Sequence, residues 1–218
     1  MKSIPVESKF LIAVPNETST DLERYADQID RQTTVISRLI GKDTSFFHPP
    51  VQNIFSTLMQ LCADYDTAKD KVSNEIVLPL AKERWGEKAS VNWSIEFASQ
   101  NMTVTFSGFD ERVTETIDVK PDDAFVAEQR KLSVMRTALA DVYDRILQTN
   151  PTLDNQAFTE LVAEIDRVET AYNNNIKFIN SQYVKPWFDA NRADASEKSR
   201  SWNLFFEDGH IEVSYLKA

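Results

Sequence analysis

One cysteine, four glycines and two histidines among 218 residues leave little room for most catalytic chemistries. With Cys62 alone, no disulfide can close within the chain and no cysteine-based zinc site can be assembled. A reducing compartment is the matching environment. So few glycines also make backbone phosphate cradles hard to build. The chain carries no Gly-x-Gly-x-x-Gly loop, Walker-type Gly-Lys-Ser/Thr, Gly-x-Ser-x-Gly elbow or His-Glu-x-x-His pair, which counts against nucleotide-using enzymes. Long apolar runs are missing too. The stretch from Met1 to Pro15 offers only Phe10-Leu11-Ile12-Ala13-Val14, too short for a signal-peptide core or a membrane span. The expectation is a protein of the cytoplasm, or of a host's cytoplasm, with no membrane association.

Basic residues are also in deficit, 24 against 34 acidic, for a net charge of −10. Phosphate contacts need clustered Lys and Arg, so direct nucleic-acid binding is not expected. The imbalance is uneven: residues 1–107 hold 11 basic and 14 acidic side chains, whereas 108–218 hold 13 and 20. It concentrates between Asp110 and Glu128, where seven carboxylates meet only Arg112 and Lys120. Such a stretch is either a solvated connector or a patch that speeds encounter with a basic protein surface.

What is present is an internal repeat. Trp93-Ser94-Ile95-Glu96-Phe97, a four-residue turn and Met102-Thr103-Val104-Thr105-Phe106 are echoed by Trp202-Asn203-Leu204-Phe205-Phe206, a turn and Ile211-Glu212-Val213-Ser214-Tyr215. Trp93, Ile95 and Phe97 alternate with Asn92, Ser94 and Glu96, so each hairpin is expected to bury one face. Asp208-Gly209 supplies a turn that tolerates positive φ. Upstream, Val77-Leu78-Pro79-Leu80 matches Val184-Lys185-Pro186-Trp187 at an offset of 107, and Tyr65 matches Tyr172. Three- and four-residue apolar spacing before each proline predicts a long helix of about thirty residues, roughly 45 Å, that kinks or ends near the proline. A shorter helix precedes each long one. The first is expected to open with a capping box at Thr20-Asp21-Leu22-Glu23 and close at Gly41; the second is expected to start near Asp122 and Asp123. Extended segments, Ser8 to Val14 and Val113 to Val119, come first in each half. The later one could pair with either hairpin and so merge the two halves into one sheet.

The fold class expected is therefore α+β, a tandem duplication of a strand, helix, long helix and β-hairpin unit. The units are residues 1–107 and 108–218, helix-dominated with small antiparallel sheets and packing as one pseudo-twofold body.

Candidate chemical residues are few. His48 and His210 are isolated and at unmatched places, which suits surface histidines better than general bases or ligands. Cys62 lies on an apolar stripe and reads as a small buried hydrophobe. Asp64, Asp66 and Asp70, and Glu160, Glu164 and Glu169, occur at helical spacing without a histidine and read as solvated faces. No catalytic residue, cofactor site or metal site is assigned. Contact residues are sought where the halves diverge: Phe46 and Phe47 in an apolar loop, Trp85 in a charged one, and Asp110, Glu111, Glu115, Asp118, Asp122 and Asp123 in the acidic junction. The leading expectation is a non-enzymatic inhibitor, adaptor or immunity-like factor that presents an acidic surface to a protein partner, itself basic where it docks. The alternatives are an enzyme or small-ligand binder with its site between the repeats, a nucleic-acid mimic, or an assembly protein.

Overall fold

The computed structural model describes residues 8–216. In chain order the elements are β1 (Lys9–Ala13), α1 (Asn16–Gly41), α2 (Pro49–Val72), a π-helical turn (Ser73–Val77), α3 (Leu78–Trp85), β2 (Ala89–Glu96), β3 (Asn101–Phe109) and β4 (Val113–Ile117). They continue with α4 (Asp123–Thr149), α5 (Gln156–Ile179), a second π-helical turn (Asn180–Val184), α6 (Lys185–Asn191), β5 (Ser201–Leu204) and β6 (Ile211–Tyr215). This is a helix-dominated α+β chain with two small antiparallel sheets, ordered β1-β3-β2 and β4-β6-β5. In each sheet the second hairpin strand is central, flanked by the strand that opens the same half, so β4 joins its own hairpin and the two sheets stay separate.

The chain divides into two compact units, residues 8–32 with 56–111 and residues 33–55 with 112–216. The division passes through α1 and α2, a grouping that the sequence period, cut at 107/108, does not reveal.

In the first unit, the register Trp93↔Val104 and Ile95↔Met102 puts these four side chains on one face of the sheet. Met102 and Val104 are fully buried there with Val14, Leu22, Val72 and Val77. The Trp93 indole Nε1 donates to Ser73 Oγ at 2.7 Å, tying the sheet to the π turn. That turn explains the proline. In a regular helix the Pro79 ring would strike the carbonyl four residues back. Here Leu78 N–H bonds the Ser73 carbonyl five residues back, and the inserted residue lets the helix continue through α3. Lys185 bonds Asn180 in the same way beside Pro186. The expected kink or end is thus a π turn within helical paths running from 49 to 85 and from 156 to 191.

The first helix of each half is the shorter one, as expected, and one expectation for α1 is corrected. α1 has 26 residues and α4 has 27, against the helical paths from 49 to 85 and from 156 to 191 that follow them. The capping box does not open α1, because the helix has begun four residues earlier after Pro15, with Ser19 N–H already bonded to the Pro15 carbonyl at 3.0 Å. At its other end α1 does stop at Gly41, but the left-handed residue that closes it is Asp43, φ 60°. Thr44 N–H bonds the Leu39 carbonyl and Asp43 N–H the Ile40 carbonyl, both at 2.9 Å, which is a Schellman closure without glycine.

In the second unit Ile179, Val184, Phe188, Ile211, Val213 and Tyr215 form the centre of the core. Helices α4 and α5 run antiparallel, with Tyr143 stacked on Phe158 and Arg136 paired to Glu169. The end of α1 is locked onto the start of α5 by reciprocal capping. Asn155 Oδ1 accepts from Phe158 N–H at 2.8 Å while its Nδ2 donates to the Ile40 carbonyl at 2.7 Å. Asp43 Oδ1 accepts from Ala157 N–H at 3.0 Å. Glu160 Oε2 accepts from Ser45 Oγ at 2.5 Å and from Phe46 N–H at 3.0 Å, and these bonds, the Ser45 hydroxyl foremost, hold its carboxyl below the usual carboxylate range. Each helix terminus thereby satisfies orphan groups of the other.

Candidate protein-contact surface

The acidic junction folds into a defined rim where β4 leads into α4. Pro121 is buried, and Asp122 caps α4 by accepting from Phe125 N–H at 2.8 Å, as the sequence predicts for this helix start. Lys120 Nζ donates to the Asp208 carbonyl at 2.9 Å and lies 3.5 Å from Asp123 Oδ1, which binds the junction to the turn between β5 and β6. The turn is held close because Gly209, φ 73°, leaves no Cβ to meet Val126, whose Cγ2 would lie 3.1 Å away. Asp118, Asp122, Asp123, Glu207 and Asp208 are all exposed around this point. Within the turn, Asp208 Oδ1 accepts from the backbone N–H of His210 at 3.1 Å and lies 2.5 Å from its Nδ1. The ring contact first, and the backbone bond second, hold the Asp208 carboxyl low. The His210 ring also stacks on Phe205, centroids 4.3 Å apart.

The remaining predicted contact residues sort differently. Asp110 and Glu111 are exposed between β3 and β4, with Asp110 N–H bonded to the Lys88 carbonyl at 2.7 Å. Phe47 is 53% exposed, but Phe46 is 1% exposed and packs edge-on against both Phe47 and Phe55. Phe46 is therefore core, not a contact residue. Trp85 lies at the end of α3 rather than in a loop, with its ring 5.3 Å from both Phe10 and Phe106 at the edge of the first unit's core.

Glu115 also departs from the surface role expected of it. Strand alternation puts it on the same face as Val113 and Ile117, where Arg192 Nη2 meets its Oε1 at 2.6 Å and Arg192 Nε meets it at 3.0 Å. The Tyr215 hydroxyl donates to the same carboxylate oxygen. The Arg192 guanidinium is held strongly protonated by Tyr215 and Glu115, in that order of weight.

The carboxylates read as solvated faces have partners too. Glu164 binds Arg167 through two 2.7 Å bonds, and Glu169 binds Arg136 at 2.7 Å. Asp64 accepts from Gln60 at 2.8 Å. Burial raises the Asp66 carboxyl, with Lys69 opposing and Asp70 adding. Cys62 is buried, as its place on the apolar stripe predicts.

A feature that sequence reasoning did not single out is a cleft of about 260 Å³ between α4 and α5. Leu139, Val162, Ile165 and Val168 give it an apolar floor, and Arg136, Asp144, Asp166 and Glu169 give it charged walls. The helical periods contain each residue, but only the antiparallel register of α4 and α5 brings them together.

Among the described residues, no group of three His, Cys, Asp or Glu side chains is placed to hold a metal ion. No helix among them is long and apolar enough to cross a membrane. No protein family, curated protein or solved structure matches the chain.

Proposed function

We propose that the chain is a non-enzymatic protein-binding factor, an inhibitor, adaptor or immunity-like protein, whose acidic rim at the start of α4 meets a basic surface on a protein partner. The supporting observation is that the rim is fastened from below. Asp122 is committed to the helix cap, Lys120 clasps the neighbouring turn and Asp208 is tied to His210, while Asp118, Asp123 and Glu207 project around them. Carboxylates held on fixed backbone lose little freedom on docking, and an acidic patch of this kind accelerates and orients encounter with a basic partner more than it adds raw affinity.

Affinity capture from the producing cell, followed by calorimetry with the purified captured protein, tests this reading. The expected result is a protein partner whose affinity falls with added salt and falls again in Asp118→Asn/Asp123→Asn/Glu207→Gln. A chain that captures no protein and instead binds a small metabolite refutes it, as does a partner indifferent to both salt and the variant.

A further inference from the structure

We infer that the α4–α5 cleft receives one cationic side chain, an arginine or lysine, of a protein partner. This rests on the protein-binding reading above but places an anchor at a different site. At about 260 Å³ the cleft falls short of the roughly 300–1,000 Å³ typical of small-molecule sites, and it is shaped as a trough between two helices. Its lining matches a long amphipathic cation part by part. The half-buried Val162 and Ile165, backed by the buried Leu139 and Val168, provide an apolar floor for an aliphatic stem.

The charged walls favour a cation over an anion. Arg136 is already engaged, by Glu169 Oε1 at 2.7 Å and by the face of the Tyr172 ring, 4.1 Å from its guanidinium carbon. Asp144 and Asp166, one from each helix, are exposed on the walls with no ion-pair partner among the described residues. The lining thus holds three carboxylates against one guanidinium. An incoming ammonium or guanidinium would be drawn to the walls that carry Asp144 and Asp166, with its stem on the floor. An incoming carboxylate would face both aspartates and find Arg136 occupied.

The test is a titration of the full-length ¹⁵N-labelled protein with N-acetyl-arginine amide, N-acetyl-lysine amide and the neutral N-acetyl-norleucine amide. Backbone amide shifts are read at residues 136–144 and 162–169. The cationic probes are expected to produce saturable shifts there and the norleucine probe none. Affinity should weaken about fivefold or more in Asp144→Asn/Asp166→Asn, from the loss of two exposed charge contacts. Both residues are exposed, so an otherwise unchanged amide spectrum will establish that the variant is folded. Equal binding of norleucine, or undiminished binding by the variant, overturns the proposal. Shifts confined to residues 118–123 and 207–212 also overturn the cleft assignment while leaving the acidic rim standing.

Discussion

Replacing Asn155 with alanine removes two bonds at once, and the structure sets what that should cost. The Oδ1 acceptor caps α5 through Phe158 N–H, and losing such a cap costs about 1 kcal/mol. The Nδ2 donor satisfies the Ile40 carbonyl at the end of α1, on a residue that is 0% exposed. That carbonyl keeps the Asp43 N–H at 2.9 Å, so losing the second donor costs only the net worth of one hydrogen bond, about 0.5–1.5 kcal/mol, and Asn155→Ala should destabilise the second unit by about 1.5–2.5 kcal/mol. Asn155→Ser separates the two parts, because serine still caps α5 but cannot reach Ile40, and it should lose only the second contribution. Urea unfolding gives the global loss. Hydrogen exchange at Phe158 and at residues 39–44 shows whether both helix ends open together. Asn155→Ala within about 0.5 kcal/mol of wild type, or exchange that rises at α5 alone, would refute the claim that residues 33–55 are fastened to the second unit by this contact.

Other perturbations probe the rest of the account. Gly209→Ala should cost about 1–2 kcal/mol, since its φ of 73° disfavours a Cβ that would also crowd Val126, and thermal unfolding measures it. Glu115→Ala should cost about 1–3 kcal/mol, because Arg192 and the buried Tyr215 hydroxyl lose their shared acceptor. Partner binding at the rim should be unchanged by it, an outcome a surface contact residue would not give. The pH dependence follows from Glu160, whose carboxyl is held low in the folded state. Its contribution is present above the unfolded carboxylate pKa, near 4.3, and is lost as pH falls through the lower folded value. Urea midpoints of wild type and Glu160→Gln should therefore differ at pH 6 and converge toward pH 3.

The parts of the fold legible in the sequence were those set by local period. Alternation in Trp93–Phe97 and Ile211–Tyr215 announced the sheets, three- and four-residue spacing announced the helices, and Asp122 announced the start of α4. The prolines were visible, but not that a π turn would absorb each one, because that depends on where the helix can place one extra residue. Composition places Glu115 on the surface, whereas Val113-x-Glu115-x-Ile117 puts it on the apolar face; period outranks charge there. Phe46 could not be separated from Phe47 by sequence, since neighbouring loop residues share no period. The Asn155–Ile40 and Glu160–Ser45 bonds join residues 115 apart, and the cleft needs the register of two helices. No local pattern encodes either one.

The most direct test of the central claim is the association rate of the captured partner as a function of ionic strength, for wild type and for Asp118→Asn/Asp123→Asn/Glu207→Gln. The acidic rim predicts a rate that falls steeply as salt shortens the Debye length to about 10 Å at 0.1 M, with a lower rate and a shallower slope in the variant. Identical, salt-independent rates for the two proteins would contradict it.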